Sequence, residues 1–240
     1  MRRLLLAAAL AAAACDSKPK GPPVFTPVLP DPATVGAVRG VVRYEGAVPA
    51  PKLEPMGGSP ECATLAEGKV STSDLLVKDG RLKNAFVYVK QGLDPKYKFP
   101  IPGDEHVITN EKCLYVPRVS GCRAWQKIKM LNQDPAQHNF RSAEWSRTLS
   151  GKGQFAIVSF DKPAVMVALK CDLHSWMIGH VGVLDHPYFA VTGEDGAFEL
   201  KGLPPGEYVV EAWHETLGTQ TATVKLEPSG AAEAPFTFKR

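Results

Sequence analysis

The sequence predicts an all-β protein built from two β-sandwich units, and three observations carry that prediction. Short runs of alternating or β-branched residues recur along the chain, Gly and Pro punctuate them at close intervals, and no run beyond the N-terminal segment keeps helical periodicity. The 240 residues are 44% hydrophobic, enough for one good core or two smaller ones, and this length makes two modest domains the prior.

Charge narrows the function classes. The formal net charge of +3 includes Arg2 and Arg3, which lie in a segment expected to be removed, leaving about +1 (3 minus 2). Nucleic acid is excluded as an expected partner because no basic field remains to attract it.

The chain opens with Arg2 and Arg3, an apolar stretch from Leu4 to Ala14, and then Cys15. That stretch is too short to span a bilayer but has the charged start and apolar middle of an export signal, so residues 1–14 are read as a signal peptide. Leu10 to Ala14 followed by Cys15 resembles a bacterial lipobox, with Ala12 where Leu is usual. The resemblance implies cleavage before Cys15, lipidation of that Cys, and a protein anchored to an envelope membrane, facing the periplasm or the cell exterior. An ordinary signal with Cys15 left free is the alternative. Residues 15–35 are rich in Pro, without apolar periodicity, and are expected to form an extended tether.

Strand-like runs follow at Ala37–Tyr44, Asn84–Lys90, Lys127–Leu131, Gln154–Ser159, Val165–Lys170 and Val181–Leu184. At most one short helix is expected, near Ser142–Arg147. From Pro187 the chain becomes a compact series of alternating runs divided by Asp195-Gly196 and Pro204-Pro205-Gly206, both strong turn signals. A DG turn, a Phe-containing strand, an LPPG turn and a Tyr-containing strand resemble the carboxypeptidase-regulatory-like or transthyretin-like (prealbumin-like) sandwich, a motif nearly silent on function. The expected division is residues 36–186 as one domain and 187–240 as a smaller module, with residues 36–50 available to pair with that module and the rest of the first domain then inserted between them.

Export would place the body in an oxidising compartment, where cysteines tend to pair. Cys62, Cys113, Cys122 and Cys171 are an even set, so two disulfides are one reading. The other keeps Cys171 reduced for a purpose, pairs Cys62 with Cys113 and leaves Cys122 a buried thiol.

The chemistry concentrates in CDLHSWM, where Cys171, His174 and Met177 stand at intervals of three on one short loop after a strand. Two soft sulfur donors beside an imidazole suit copper better than a hard cation, and a fourth donor stands in LNQDPAQHNFR as His138. Structural zinc draws on paired knuckles that this sequence lacks. In order and separation these motifs resemble the cupredoxins. The Cys-x2-His-x2-Met spacing is that of amicyanin, and the plastocyanins have a longer gap before the Met. The resemblance covers roughly residues 107–186 and implies a Greek-key β-sandwich holding one copper ion (Cu+/Cu2+) through His138, Cys171, His174 and Met177. Asn139 would pin the Cys loop through hydrogen bonds. His138 would be the shielded imidazole, and His174 is expected near the surface, where solvent protons can displace it from cuprous copper. His180 is the one rival ligand; His106, His186 and His214 read as structural or surface residues.

The implied function is one-electron carriage between redox partners, such as a c-type cytochrome or an oxidoreductase. No carboxylate pair, Ser/His/Asp set or open metal motif is present, so no enzyme is expected. The alternatives are an envelope β-sandwich for carbohydrate or protein contact, and a copper storage or delivery protein.

Overall fold

A computed structural model describes residues 21–55, 59–67, 69–71 and 74–240. The expected signal peptide and Cys15 lie outside the described residues. Apart from the short helix Pro60–Leu65, the regular elements are strands. No helix among the described residues is long and apolar enough to cross a membrane.

Two apolar cores organise these strands. In the first, Gly36–Glu45 is central: it pairs antiparallel with Ala197–Leu203 and parallel with Ala231–Glu233 and Phe236–Lys239. A second sheet runs Phe189–Val191, Phe86–Gln91, Gly206–His214, Gly218–Leu226. Alternate residues of both sheets, among them Val38, Val42, Val87, Leu200, Val210, Phe198 and Phe236, share one core. Inward side chains at every second position are what the alternating sequence runs encode.

Residues 106–184 build the other sandwich. One sheet is ordered Phe155–Val158, Ile128–Asn132, His106–Glu111, Leu114–Val116. The other is ordered Ser146–Leu149, His138–Arg141, Ala164–Lys170, Ile178–Leu184, Val119–Arg123. Between them lie Ile108, Ile128, Met130, Phe140, Leu169, Val181 and Val183.

Several expectations change here. Residues 36–45 do pair with C-terminal strands, but so does Phe86–Gln91, while Arg81–Leu82 joins the sheet of Gly36–Glu45. Strands on the N-terminal side of the expected boundary at 187 are therefore hydrogen-bonded into the C-terminal sandwich, and the site-bearing sandwich is inserted between them. The expected tether is shortened, because Val28 exchanges backbone hydrogen bonds with Lys98, and Ser229 donates to the carbonyls of Ala33 and Thr34. The helix expected near 142–147 is instead a turn between paired strands, with the Ser142 hydroxyl accepting the Glu144 and Trp145 amides. A side-chain acceptor of this kind offers backbone N–H groups a partner outside a helix.

The sandwiches meet along a seam of Phe86, Tyr88, Val119 and Leu184. Gly182 lets its strand lie directly on the Phe86 ring, a space that a Cβ would invade. Beside the apolar seam, Arg118 donates to both carboxylate oxygens of Glu215 at 2.6 and 2.7 Å, joining the two sandwiches in a fork-shaped pair.

Candidate metal centre

His138 begins a strand at one end of the site-bearing sandwich, and the turn before it is set by Asn132. Its side-chain oxygen accepts the Asp134 amide at 2.9 Å, and its NH2 donates to the carbonyls of Ala136 and Leu149. Asp134 is thereby aimed inward. One carboxylate oxygen accepts the Lys112 amide; the other accepts the Cys113 amide and His138 Nε2 at 2.8 and 3.0 Å. Lys112 and Cys113 both have positive φ (51° and 56°) and form the two-residue connection of a hairpin. Such turns favour Asn or Gly, so two ordinary residues here depend on the bonds their amides make.

Because the carboxylate only accepts, His138 carries its hydrogen on Nε2 and turns the Nδ1 lone pair into the site. His174 mirrors this arrangement. Its Nε2 stands 3.1 Å from the Ser59 hydroxyl, an oxygen able to accept N–H, and its Nδ1 faces His138 Nδ1 at 3.1 Å. Cys171 Sγ is 3.7 Å from His174 Nδ1 and accepts the Asn139 amide at 3.4 Å. His138, Cys171 and His174 are all buried, and their donor atoms lie within 4.8 Å of one another.

The ligand loop is closed by its own backbone. The Met177 amide donates to the His174 carbonyl at 2.9 Å, and the Cys171 amide to the Met177 carbonyl at 3.3 Å. Met177 is fully buried in the core that also contains Cys171. Asn139 secures the cysteine with its backbone N–H, whereas its side-chain NH2 donates to Ser146 and Thr148 on the neighbouring strand. The Tyr115 hydroxyl donates to the Asn139 carbonyl and ties that strand to the opposite sheet.

Electrostatics favour a thiolate. Burial alone raises the Cys171 pKa, but the His138 and His174 rings, when they carry a proton toward the sulfur in place of a metal ion, and the Asn139 and Leu173 amides outweigh it and bring the pKa down to about 6. Cys122 lacks such donors, and burial pushes its thiol up to about 12. Burial also opposes the charge on Asp134, yet bonding to His138 and to the Cys113 and Lys112 amides holds its pKa below the usual value. For His138, burial opposes protonation, but Asp134 and Cys171 raise its pKa overall.

The donor set fits a first-row metal. Two imidazole nitrogens about 2.0–2.1 Å from one ion at an angle of about 100° lie about 3.1 Å apart. A sulfur at about 2.3 Å and a nitrogen at about 2.05 Å, separated by about 115°, lie about 3.7 Å apart. Both separations match those between the donor atoms.

Cys62 and Cys113 form a disulfide, while Cys122 and Cys171 are buried and free. The disulfide covers the site: Cys62 Sγ is 3.6 Å from His174 Nε2, and the Trp176 indole donates to the Cys113 carbonyl with its ring centroid 5.1 Å from that of His174. His174 is therefore only 6% exposed, contrary to the expected surface position. Its outer nitrogen meets the Ser59 hydroxyl and the Cys62 sulfur.

His180 belongs to neither donor cluster among the described residues. It packs against Trp213 at the seam, with Nδ1 4.0 Å from Glu215. His186 and His214 are buried in the structural role expected of them, and His106 is half-buried beside Ser120. Sequence reasoning missed Asp134 as the brace of His138, although it stands in the quoted Asn-x-Asp segment. Ser59, distant in sequence, carried no signal.

No protein-family model matches the chain, and no curated protein matches it. Solved structures with similarity to parts of it include a cupredoxin, amicyanin variants and a nitrite reductase. A purple cupredoxin from Nitrosopumilus maritimus is 18% identical over 32% of this chain and 98% of its own, with a TM-score of 0.29. A reduced amicyanin variant is 18% identical over 35% of this chain and 85% of its own, at 0.31. The copper-containing nitrite reductase of Thermus scotoductus is 16% identical over 40% of this chain and only 25% of its own, also at 0.31.

Proposed function

We infer that the chain is a mononuclear copper protein of the cupredoxin type that carries single electrons and performs no substrate chemistry. The convergence of His138 Nδ1, His174 Nδ1 and the Cys171 sulfur carries this reading. Met177, at the far end of the loop, is the weak fourth donor.

Bound copper would supply one-electron exchange between its cupric and cuprous states. Asp134 and Ser59 hold the two imidazoles in the tautomers that offer Nδ1. The Asn139 amide and the loop's backbone bonds fix the sulfur, and burial excludes water that would add ligands or demand reorganisation. Donors held this firmly move little when an electron arrives or leaves.

The cellular setting belongs to the same proposal: export, lipidation at Cys15, attachment to an envelope membrane, and a redox protein partner such as a c-type cytochrome or an oxidoreductase. The inserted sandwich is the copper domain, and the surrounding one a carboxypeptidase-regulatory-like module.

Copper-loaded, oxidised protein should absorb visible light intensely through thiolate-to-copper charge transfer, and Cys171→Ser should abolish the band, because a hydroxyl is a hard and weak donor. Retention of the band in Cys171→Ser overturns the assignment. Met177→Leu should raise the reduction potential, since loss of a donor costs cupric copper more. A potential equal to wild type removes Met177 from the ligand set.

A further inference from the structure

Beside the proposed copper ligands stands a second set of soft donors. The sulfurs of Cys62 and Cys113 and a ring nitrogen of His138 lie within 4.8 Å of one another, all buried. While the disulfide is closed, its sulfurs are poor ligands, because the thiolate is the form that binds metal. Opening it changes the donor count from one thiol at this end of the sandwich to three.

Two of these three ligands are held without the disulfide. Asp134 binds the Cys113 amide and His138 Nε2 through one carboxylate oxygen, so both residues share a brace. The Cys113 carbonyl also receives the Trp176 indole. Cys62 is the buried residue of helix Pro60–Leu65, with its sulfur 3.6 Å from His174 Nε2.

We propose that the Cys62–Cys113 disulfide is a redox-controlled latch, and that its reduction creates a thiolate-rich site for a soft metal ion from Cys62, Cys113 and His138. A dithiol delivers two electrons and two protons to the S–S bond, giving two thiols and its own cyclic disulfide. The incoming ion then displaces the two thiol protons. Cu(I), Cd(II) and Zn(II) are the ions that two thiolates and an imidazole suit. His138 belongs to both donor sets, so the latch would exchange one coordination for another at the same end of the sandwich.

The test separates this site from the proposed copper site by disabling the latter. Full-length Cys171→Ser protein is reduced with dithiothreitol, its thiols are counted, and it is desalted anaerobically and titrated with Cd(II) alone. One equivalent should bind with an ultraviolet thiolate-to-metal band, and the same protein with its disulfide intact should show none. Adding Cys113→Ser should abolish the band, and adding His138→Gln should weaken Cd(II) at least about 10-fold, as expected for a lost ligand. Absence of the band from the reduced protein, folded or not, overturns the proposal. So does a band unaffected by His138→Gln, which would mark unspecific thiolate binding. Failure here leaves the visible copper band of the wild type untouched, and loss of that band leaves this titration standing.

Discussion

The two sandwiches fill their interiors differently. The one around Gly36–Glu45 buries a broad apolar set together with a few polar residues such as His186 and Thr192, and its tyrosine hydroxyls reach backbone carbonyls, as Tyr208 does to Pro204. The inserted one buries His138, Asp134, Asn132, Asn139, His174 and a depressed-pKa thiol at one end of its core. The first arrangement gains its stability chiefly from apolar burial. The second spends part of that gain on desolvating polar groups, which holds only while each finds a partner. Stability and chemistry are thus assigned to separate cores joined by a packed seam.

The strongest way to break this comparison is to damage the apolar core and look for an effect on the site. Phe198→Ala should cost about 3–5 kcal/mol in denaturant unfolding through lost burial and a residual cavity. The visible copper band per folded molecule should stay unchanged; a band that weakens in the folded protein would show that the cores are not separable.

Asp134→Ala attacks the other side. It strips the acceptor from His138 Nε2 and from two amides of a left-handed turn, so a stability loss of about 1–3 kcal/mol is expected. Copper affinity should fall about 10- to 100-fold, measured by chelator competition. An unchanged affinity would reduce Asp134 to a turn-former.

Gly182→Ala probes the seam. An added methyl meets the Phe86 ring and should cost about 1–3 kcal/mol by overpacking. If the sandwiches unfold independently, thermal traces should split into two transitions as the seam weakens.

The smallest effect is the dependence on pH. Burial lowers the pKa of His186 below its ordinary 6.5, and its ring is committed to the Val89 carbonyl and the Tyr188 amide. The unfolded chain then binds more protons than the folded one below about pH 6.5, so stability is fully present above that value and falls as the pH drops through it. The slope per group is at most about 1.4 kcal/mol per pH unit. His186→Gln should flatten the stability curve between pH 7 and 5 in denaturant titrations, and an unaltered slope would place the proton uptake elsewhere.

Most strands were legible in the sequence because a half-buried strand must alternate, and Gly and Pro must stand where it turns. The fold class, the turn at Asp195-Gly196 with the strand that follows it, and the 171–177 loop followed from such local rules. The grouping of His138 with Cys171 and His174 was reached through spacing and resemblance, since local chemistry alone does not bring residue 138 to residue 171. The Cys62–Cys113 disulfide was reached from the sequence and forms, but Ser59 and Asp134 escaped for the same reason in sharper form. Their roles depend on which side chains long-range strand pairing sets face to face. That His174 is covered, and that strand 86–91 belongs with the C-terminal ones, were decided by sheet register and core burial, which sum contributions from the whole chain. The sequence by itself determined the donors and the period of the strands. Only the tertiary structure decided which donors meet, because proximity between distant residues is a property of the packed sheets.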